Sequence, residues 1–537
     1  MILKQLNLTY LSKSIGIENF NLTRKSFEEI SLDGHFQSKL SDKDLAVIIF
    51  NNSIKNDFFS KKANLIEFIY ALPIITQEKI VEGLSLKSVE NIIWDKTTSD
   101  FFINELGLDE KFKFRIKKKK NTQEFFTHIE KPKVFFKKLK RYQSDVFFNT
   151  YEYISKTPYS RCIIQMPTGS GKTRTAMEII CETINETKKD VLWLANTEEL
   201  CDQAYGSFLE TWNFLKKSKA SAINHIRYKN SEQVSSPCFH VTSLQSFNTS
   251  DVYNKINSLG INLNTLALLV VDEAHISIAP TYKETISKII SKGAKLIGLT
   301  ATPGRSLKSN TLNDDNSALS NFFFNKKFEL NTGEIEPIEF LRNKGILCNA
   351  KFISIEGSKI DSVLSKKEIQ ECLINKKIPK KIEKLLTNDS HRTAVIFDQL
   401  IQLLNNDKKI IFFGTSIVHS KLICSLINLK GFKAAHIDGN SGNYRKDIIS
   451  SFKEGNIQII CNYGVLSTGF DDPKIDVVFM ARPTSSIVLY SQIIGRGLRG
   501  PLIGGTETCE VYTVFDNFID LPENNEIYSY FDEYFIQ

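Results

Sequence analysis

Met166-Pro167-Thr168-Gly169-Ser170-Gly171-Lys172-Thr173 is the stretch whose reading decides the fold. It follows the apolar run Cys162-Ile163-Ile164-Gln165 and opens a helical pattern from Arg174 to Thr183. Strand, glycine turn and helix is the setting that a nucleotide's phosphates need. Gly169 and Gly171 let the backbone curl so that its N–H groups converge on an anion. The helix that follows adds its positive N-terminus. Lys172 is placed to reach the β- and γ-phosphates, and the Thr173 hydroxyl to hold Mg²⁺. Thr168, Gly169, Ser170 and Gly171 complete the expected cradle. One departure weakens the motif when taken alone. The general pattern G-x-x-x-x-G-K-[ST] has a glycine six places before the lysine, where this chain has Met166.

A second constellation answers the first. The apolar strand Leu268-Leu269-Val270-Val271 ends in Asp272-Glu273-Ala274-His275, 100 residues beyond Lys172. A rigid carboxylate at a strand end is what a phosphate-bound magnesium ion requires, so Asp272 is the expected partner of Thr173. Glu273 stands where a general base can polarise an attacking water. His275 could couple the nucleotide to the adjoining motif by hydrogen bonds.

Around these motifs the pattern alternates strand and helix. Val191 to Leu194, Cys238 to Val241, Leu266 to Val271 and Lys295 to Leu299 read as strands of a parallel sheet. A second α/β unit begins near Glu334, with strands at Lys409 to Phe413, Lys433 to Ile437, Ile457 to Cys461, Val477 to Met480 and Cys509 to Phe515. Ser306 to Ser320 is polar, with Asn-Asp-Asp-Asn inside it, and reads as a flexible insertion or linker. Residues 1 to about 130 carry no recognisable motif and read as mostly helical. Ser41-Asp42-Lys43-Asp44 has the signature of a helix start, with Leu45, Ile48 and Ile49 at helical spacing.

The 537 residues bound three or four domains, and 42% hydrophobic with 24% charged residues is a globular balance. The net charge of +8 is compatible with a polyanionic partner without establishing one. Lys111 to Arg141 concentrates that charge, with 11 Lys and 2 Arg against Glu124 and Glu130, and phenylalanines interleaved. It fits a surface for nucleic-acid phosphates and equally a solvated linker. Nine scattered cysteines without a C-x-x-C pair suit a reducing cytosol rather than a zinc or disulfide framework. No run approaches 18 apolar residues and no signal-peptide core opens the chain, so a cytoplasmic protein without a membrane partner is expected.

The order of motifs resembles that of superfamily 2 DEAH-type helicases and translocases, in the branch of type I restriction motor subunits and DNA-repair helicases. The likeness runs from about 140 to 515. Leu139-Lys140-Arg141-Tyr142-Gln143 is similar to the adenine-reading motif, with Gln143 as the amide. Leu194 to Leu200 resembles the first strand-tracking motif, although Asn196 and Glu198 stand in place of its Pro and Arg. Thr242-Ser243-Leu244-Gln245 and Gly298 to Pro303 resemble the next backbone-contacting motif and the coupling motif. In the second unit, Phe412 to Ser416, Gly464 to Asp471 and Gln492 to Arg499 resemble motifs IV, V and VI.

The resemblance implies two tandem RecA-like parallel-sheet domains, 131–330 and 331–537, preceded by a helical N-terminal domain, 1–130. It implies an ATP hydrolase stimulated by nucleic acid, with ATP and Mg²⁺ as cofactors. Gln492, Arg496 and Arg499 would act across the cleft, the two arginines offering cations to charge developing on the γ-phosphate. Gly469 and Asp471 would join the nucleotide site. Thr197, Thr242, Thr415 and Thr468 would touch the strand. The T-A-T coupling motif, Gln492 and the Pro337 to Leu347 segment lean toward DNA as the partner, with RNA as the alternative. A protein partner through the N-terminal domain is the remaining expectation, in a defence or repair setting.

Overall fold

The computed structural model describes residues 2–32, 40–53, 58–114, 138–214, 224–227, 237–247, 251–258, 260–301, 312–360, 365, 368, 379–439, 441, 444–466, 472, 474–483, 493–495 and 497–518. Six helices come first: α1 (Leu8–Ile15), α2 (Ile17–Leu32), α3 (Asp42–Ser53), α4 (Lys62–Tyr70), α5 (Ile74–Gly83) and α6 (Lys96–Asn104). Ser41 caps α3, its Oγ accepting from the Asp44 N–H at 3.1 Å and donating to the Asp44 carboxylate at 2.6 Å. This reciprocal pairing is what the Ser-x-x-Asp spacing selects. Phe59 anchors an aromatic nest, with ring centroids 4.8 Å from Phe68, 4.9 Å from Trp94 and 5.2 Å from Phe112.

The first α/β domain begins with α7 (Arg141–Lys156) and β1 (Arg161–Gln165), followed by α8 (Lys172–Thr187), β2 (Asp190–Ala195) and α9 (Glu198–Phe214). Then come β3 (Asn224–Arg227), β4 (Cys238–Ser243), α10 (Val252–Ser258), β5 (Leu266–Val271), α11 (Pro280–Ile290), β6 (Lys295–Thr300), α12 (Leu312–Phe322) and β7 (Lys327–Glu329). The seven strands form one sheet in the order β3-β4-β2-β5-β6-β1-β7, parallel throughout. Ser306 to Thr311 lie outside the described residues; helix α12 corrects the expectation of a flexible insertion or linker from Leu312 to Ser320. Its C-terminal half buries Leu319 and Phe322, with Phe323 beyond, so apolar anchoring outweighs the polar Asn-Asp run.

The second domain comprises α13 (Pro337–Asn343), β8 (Asn349–Ile360), α14 (Lys380–Asn388), α15 (Ser390–Asn405), β9 (Ile410–Phe413) and α16 (Ile417–Leu429). It continues with β10 (Ala434–Ile437), α17 (Tyr444–Lys453), β11 (Ile459–Asn462), β12 (Val477–Met480) and β13 (Thr508–Phe518). Its sheet runs β10-β11-β9-β12-β13-β8, again all parallel. The expected fold class is therefore what the chain adopts: a helical N-terminal region and two RecA-like domains.

Among the described residues the N-terminal helices share their core with the second α/β domain rather than with the one that follows them in sequence. Helix α2 lies against α15 and α16, and α3 against α16. One apolar core runs from Leu45, Ile49 and Phe50 through Phe397 and Leu400 to Leu422 and Leu426. A separate core joins the two α/β domains through Leu341, Ile346 and Leu347. The basic segment expected between 111 and 141 lies mostly outside the described residues.

Candidate nucleotide site and strand interface

All the strands of a parallel α/β sheet point their carboxyl ends at one rim, where ligands gather. The phosphate loop leaves β1 at that rim. Gly169 and Gly171 have φ of +89° and +91°, the left-handed region that these two turns require. Gly171 caps α8, so the loop's amides and the helix N-terminus share one concavity. The Ser170 hydroxyl donates to the Pro167 carbonyl at 2.6 Å, locking the turn from within. Lys172 and Thr173 are the first two residues of α8.

Helix α7 braces the loop from behind. The Tyr142 hydroxyl donates to the Ser170 carbonyl at 2.8 Å, and Gln143 Nε2 donates to the same oxygen at 2.9 Å. Gln143 Oε1 accepts from the Lys140 N–H at 2.9 Å. A Cβ on Gly171 would overlap the Gln143 amide, so the glycine serves close approach as well as turn geometry. Gln143, expected to read adenine, thus has each end of its amide bonded to the chain.

Strand β6 lies between β1 and β5, and the Met166 N–H donates to the Thr300 carbonyl at 3.1 Å. Asp272 follows β5 and is held by its N–H on the Leu194 carbonyl at 2.9 Å. Burial, reinforced by the Glu273 charge and opposed by Lys172, pushes the Asp272 carboxyl up to about 6. A buried carboxylate with a second acid beside it is an environment that a cation would relieve. Glu273 has φ +52°, a strained angle for a residue with a side chain. Its Oε2 lies 3.4 Å from His275 Nδ1. Gly298 on β6 leaves room for this turn: a Cβ there would stand 2.7 Å from the Ala274 Cβ.

The second domain reaches this loop. Arg499 Nη1 and Leu347 Cδ2 lie 2.7 and 2.9 Å from where a Cβ on Gly169 would be. Phe340 of α13 meets Tyr142 edge-on, ring centroids 6.2 Å apart. An arginine from the second domain thus lies at the glycine loop, and the Lys172 charge acts on the Asp272 carboxyl. Thr173 with Asp272 supplies the oxygen donors magnesium favours. Gln492, Arg496, Gly469, Asp471 and Thr468 lie outside the described residues.

The residues expected to touch a strand sit in different surroundings. Thr197 is half-buried and caps α9, its Oγ1 accepting from the Leu200 N–H at 3.3 Å. Thr242 is buried, its Oγ1 3.4 Å from Ser246 Oγ. Thr415 is fully buried, donating to the Ala481 carbonyl at 2.9 Å and accepting from Arg392 at 3.0 Å. In this conformation both hydroxyls have partners inside their own domains, Ser246 for Thr242 and Arg392 with Ala481 for Thr415. Asn196, which stands where the resembled motif has Pro, accepts from Gln245 Nε2 at 3.2 Å and so ties two of the rim motifs together. Ser420, His436 and Asp438 form a file at 2.9 and 3.4 Å that has the order of a hydrolase relay. Ser420 is fully buried within α16, so no substrate atom meets it.

The fold defines two RecA-like domains with a candidate nucleotide site at the glycine loop of the first. Residues 136–305 match the family model for the type III restriction enzyme res subunit, and residues 395–500 match the helicase conserved C-terminal domain. The putative ATP-dependent helicase IRC3 of Saccharomyces cerevisiae is 27% identical over 257 residues, covering 44% of this chain and 32% of its own length. The ATP-dependent RNA helicase DBP3 of Meyerozyma guilliermondii is 23% identical over 348 residues, covering 64% of this chain and 56% of its own. This chain thus spans between a third and just over half of those relatives. Among solved structures, a fragment of a putative HsdR subunit of a type I restriction enzyme from Vibrio vulnificus YJ016 shares the fold. It superposes with TM-score 0.50 at 19% identity, over 74% of this chain and 66% of that one. The chain belongs to the superfamily 2 helicases, related to restriction-enzyme motor subunits and to DNA-repair and translocase helicases. Among the described residues no helix is long and apolar enough to cross a membrane.

Proposed function

We propose that this chain is a nucleic-acid-stimulated ATPase that moves along or unwinds DNA. The observation that carries the reading is the meeting of Arg499, from the second domain, with the Gly169 turn of the first. Such a site needs both domains, so hydrolysis can be coupled to their relative motion.

In this reading the loop amides and Lys172 bind the phosphates of ATP. Thr173 and Asp272 would hold Mg²⁺, which neutralises charge on the β- and γ-phosphates when bound. Glu273 orients and polarises the attacking water, and His275 holds the Glu273 carboxylate in place. Arg499, with Arg496 and Gln492 beside it in sequence, stabilises charge developing on the γ-phosphate from the far side. Release of that phosphate frees the second domain, and repetition moves the strand.

DNA is favoured by the T-A-T motif and by Gln492. RNA is the competing substrate, supported by likeness to an RNA helicase. Purified chain assayed for ATP hydrolysis with duplex, single-stranded and forked DNA and with RNA in parallel tests both. Stimulation by a DNA form supports the proposal, and stimulation by RNA alone replaces it. A second reading, an ATP-gated sensor acting through a protein partner, is favoured by the core that the N-terminal helices share with the second motor domain. It predicts little stimulation by any nucleic acid until the partner is supplied.

A further inference from the structure

Arg392 lies in the first turn of α15, and its side chain is fully buried, as is that of Asp516 on β13. Its Nε donates to Asp516 Oδ1 at 2.7 Å and its Nη2 to Oδ2 at 2.8 Å. Nη2 also donates to the Ala481 carbonyl at 2.7 Å, and Nη1 to Thr415 Oγ1 at 3.0 Å. Asp516 Oδ1 accepts a further bond from the Ser358 N–H at 2.9 Å. One guanidinium therefore joins the exits of β9 and β12 to β13 and, through Asp516, to β8.

A buried ion pair is a poor stability device, because desolvation offsets much of its attraction and apolar replacements are often as stable. What a bidentate guanidinium supplies is fixed geometry. The residue after Ala481 carries that geometry onward. Arg482 stacks over the Tyr463 ring at 4.5 Å, and the Tyr463 hydroxyl donates to Glu383 at 3.0 Å. Tyr463 directly follows β11 and precedes the loop that opens at Gly464.

We propose that the Arg392–Asp516 pair is a positioning pin for the rim loops of the second domain. It sets the turn at 413–416 and the turn at 481–483 in one register and, through Arg482 on Tyr463, the loop beginning at Gly464. Arg392 touches no strand itself; it places the segments that do. The inference rests on the proposed nucleic-acid-stimulated ATPase.

The test compares the full-length chain with Arg392→Met/Asp516→Leu and with Arg392→Lys, which keeps the charge but not the fork. Melting temperature, affinity for a fluorescent ATP analogue, and the concentration of nucleic acid giving half-maximal ATPase are measured. The nucleic acids are a single-stranded oligodeoxynucleotide, its duplex and the matching RNA. The expected result is near-native melting and nucleotide affinity, with half-stimulation requiring about tenfold more nucleic acid in both variants. An unchanged half-stimulating concentration in folded variants overturns the pin. If neither variant folds, the pair is a stability element and the pin is again overturned. An unsubstituted chain that none of the three stimulates overturns the functional reading and the pin with it, and is told apart because the failure precedes any substitution.

Discussion

Arg499 of the second motor domain rests on Gly169 of the first, with Nη1 2.7 Å from the point a Cβ at residue 169 would occupy. Gly169→Ala therefore meets two obstacles, the arginine and its own φ of +89°. Left-handed backbone costs a residue with a side chain about 1–2 kcal/mol, so the loop would distort or Arg499 would be displaced. ATP turnover is expected to fall at least about tenfold. Arg499→Ala should lower turnover by roughly 100-fold or more while leaving nucleotide affinity within a few-fold, as loss of a transition-state contact does. Steady-state ATPase beside equilibrium nucleotide binding separates the two.

Glu273 makes a different test. Lys172→Ala and Glu273→Gln should each abolish turnover with the fold intact, and Glu273→Gln should still bind nucleotide. Glu273→Gly should be equally inactive yet more resistant to urea than Glu273→Gln, by about 1 kcal/mol, because it relieves the φ of +52°. Equal or lower resistance would show that the turn carries no strain.

Acid stability should report the second domain's interior. His419 is fully buried, and burial followed by the Arg392 charge lowers its pKa to about 3. Its Nδ1 accepts from the Thr415 N–H at 3.2 Å. Burial likewise lowers His240 to about 4. The unfolded chain then binds more protons than the folded one between the ordinary histidine value and these. The histidines' share of the stability is complete above about pH 6.5 and is lost as pH falls, by about 1.4 kcal/mol per pH unit for each, down to about 4 for His240 and about 3 for His419. His419→Gln, which keeps an acceptor for Thr415, should flatten that slope by one proton's worth in denaturant titrations at stepped pH.

What could be read in advance was whatever is local. The phosphate loop, the Asp272–Glu273 turn and the central strands declare themselves within a few consecutive residues. Strand β8 was missed because it is an edge, alternating half-exposed residues with Lys, Glu and Ser rather than presenting an apolar run. The partner of the Thr415 hydroxyl is not legible in the same way, because Arg392 lies 23 residues upstream in a different helix. Tyr142 and Phe340 stand in segments that the resemblance picks out, but their edge-on contact across the two domains has no local signal.

The N-terminal region yields a fourth prediction. Deleting residues 1–114 would uncover the faces of α15 and α16 that it covers, including a share of the core around Phe397 and Leu400. The truncated chain is expected to be insoluble or to melt well below the full-length protein, read by thermal denaturation and sedimentation. Melting unchanged from the full chain would mean that the shared core is dispensable to the motor.

That shared core also orders events at the ribosome. Helix α2 is complete by Leu32, yet its partner α15 begins only at Ser390. At about 5–20 residues per second, the apolar side of the first helices waits roughly 20–70 s for the surface it will cover. The intervening RecA-like domain can fold in that interval, while the N-terminal helices depend on their own aromatic nest, or on a chaperone, until the last third of the chain emerges.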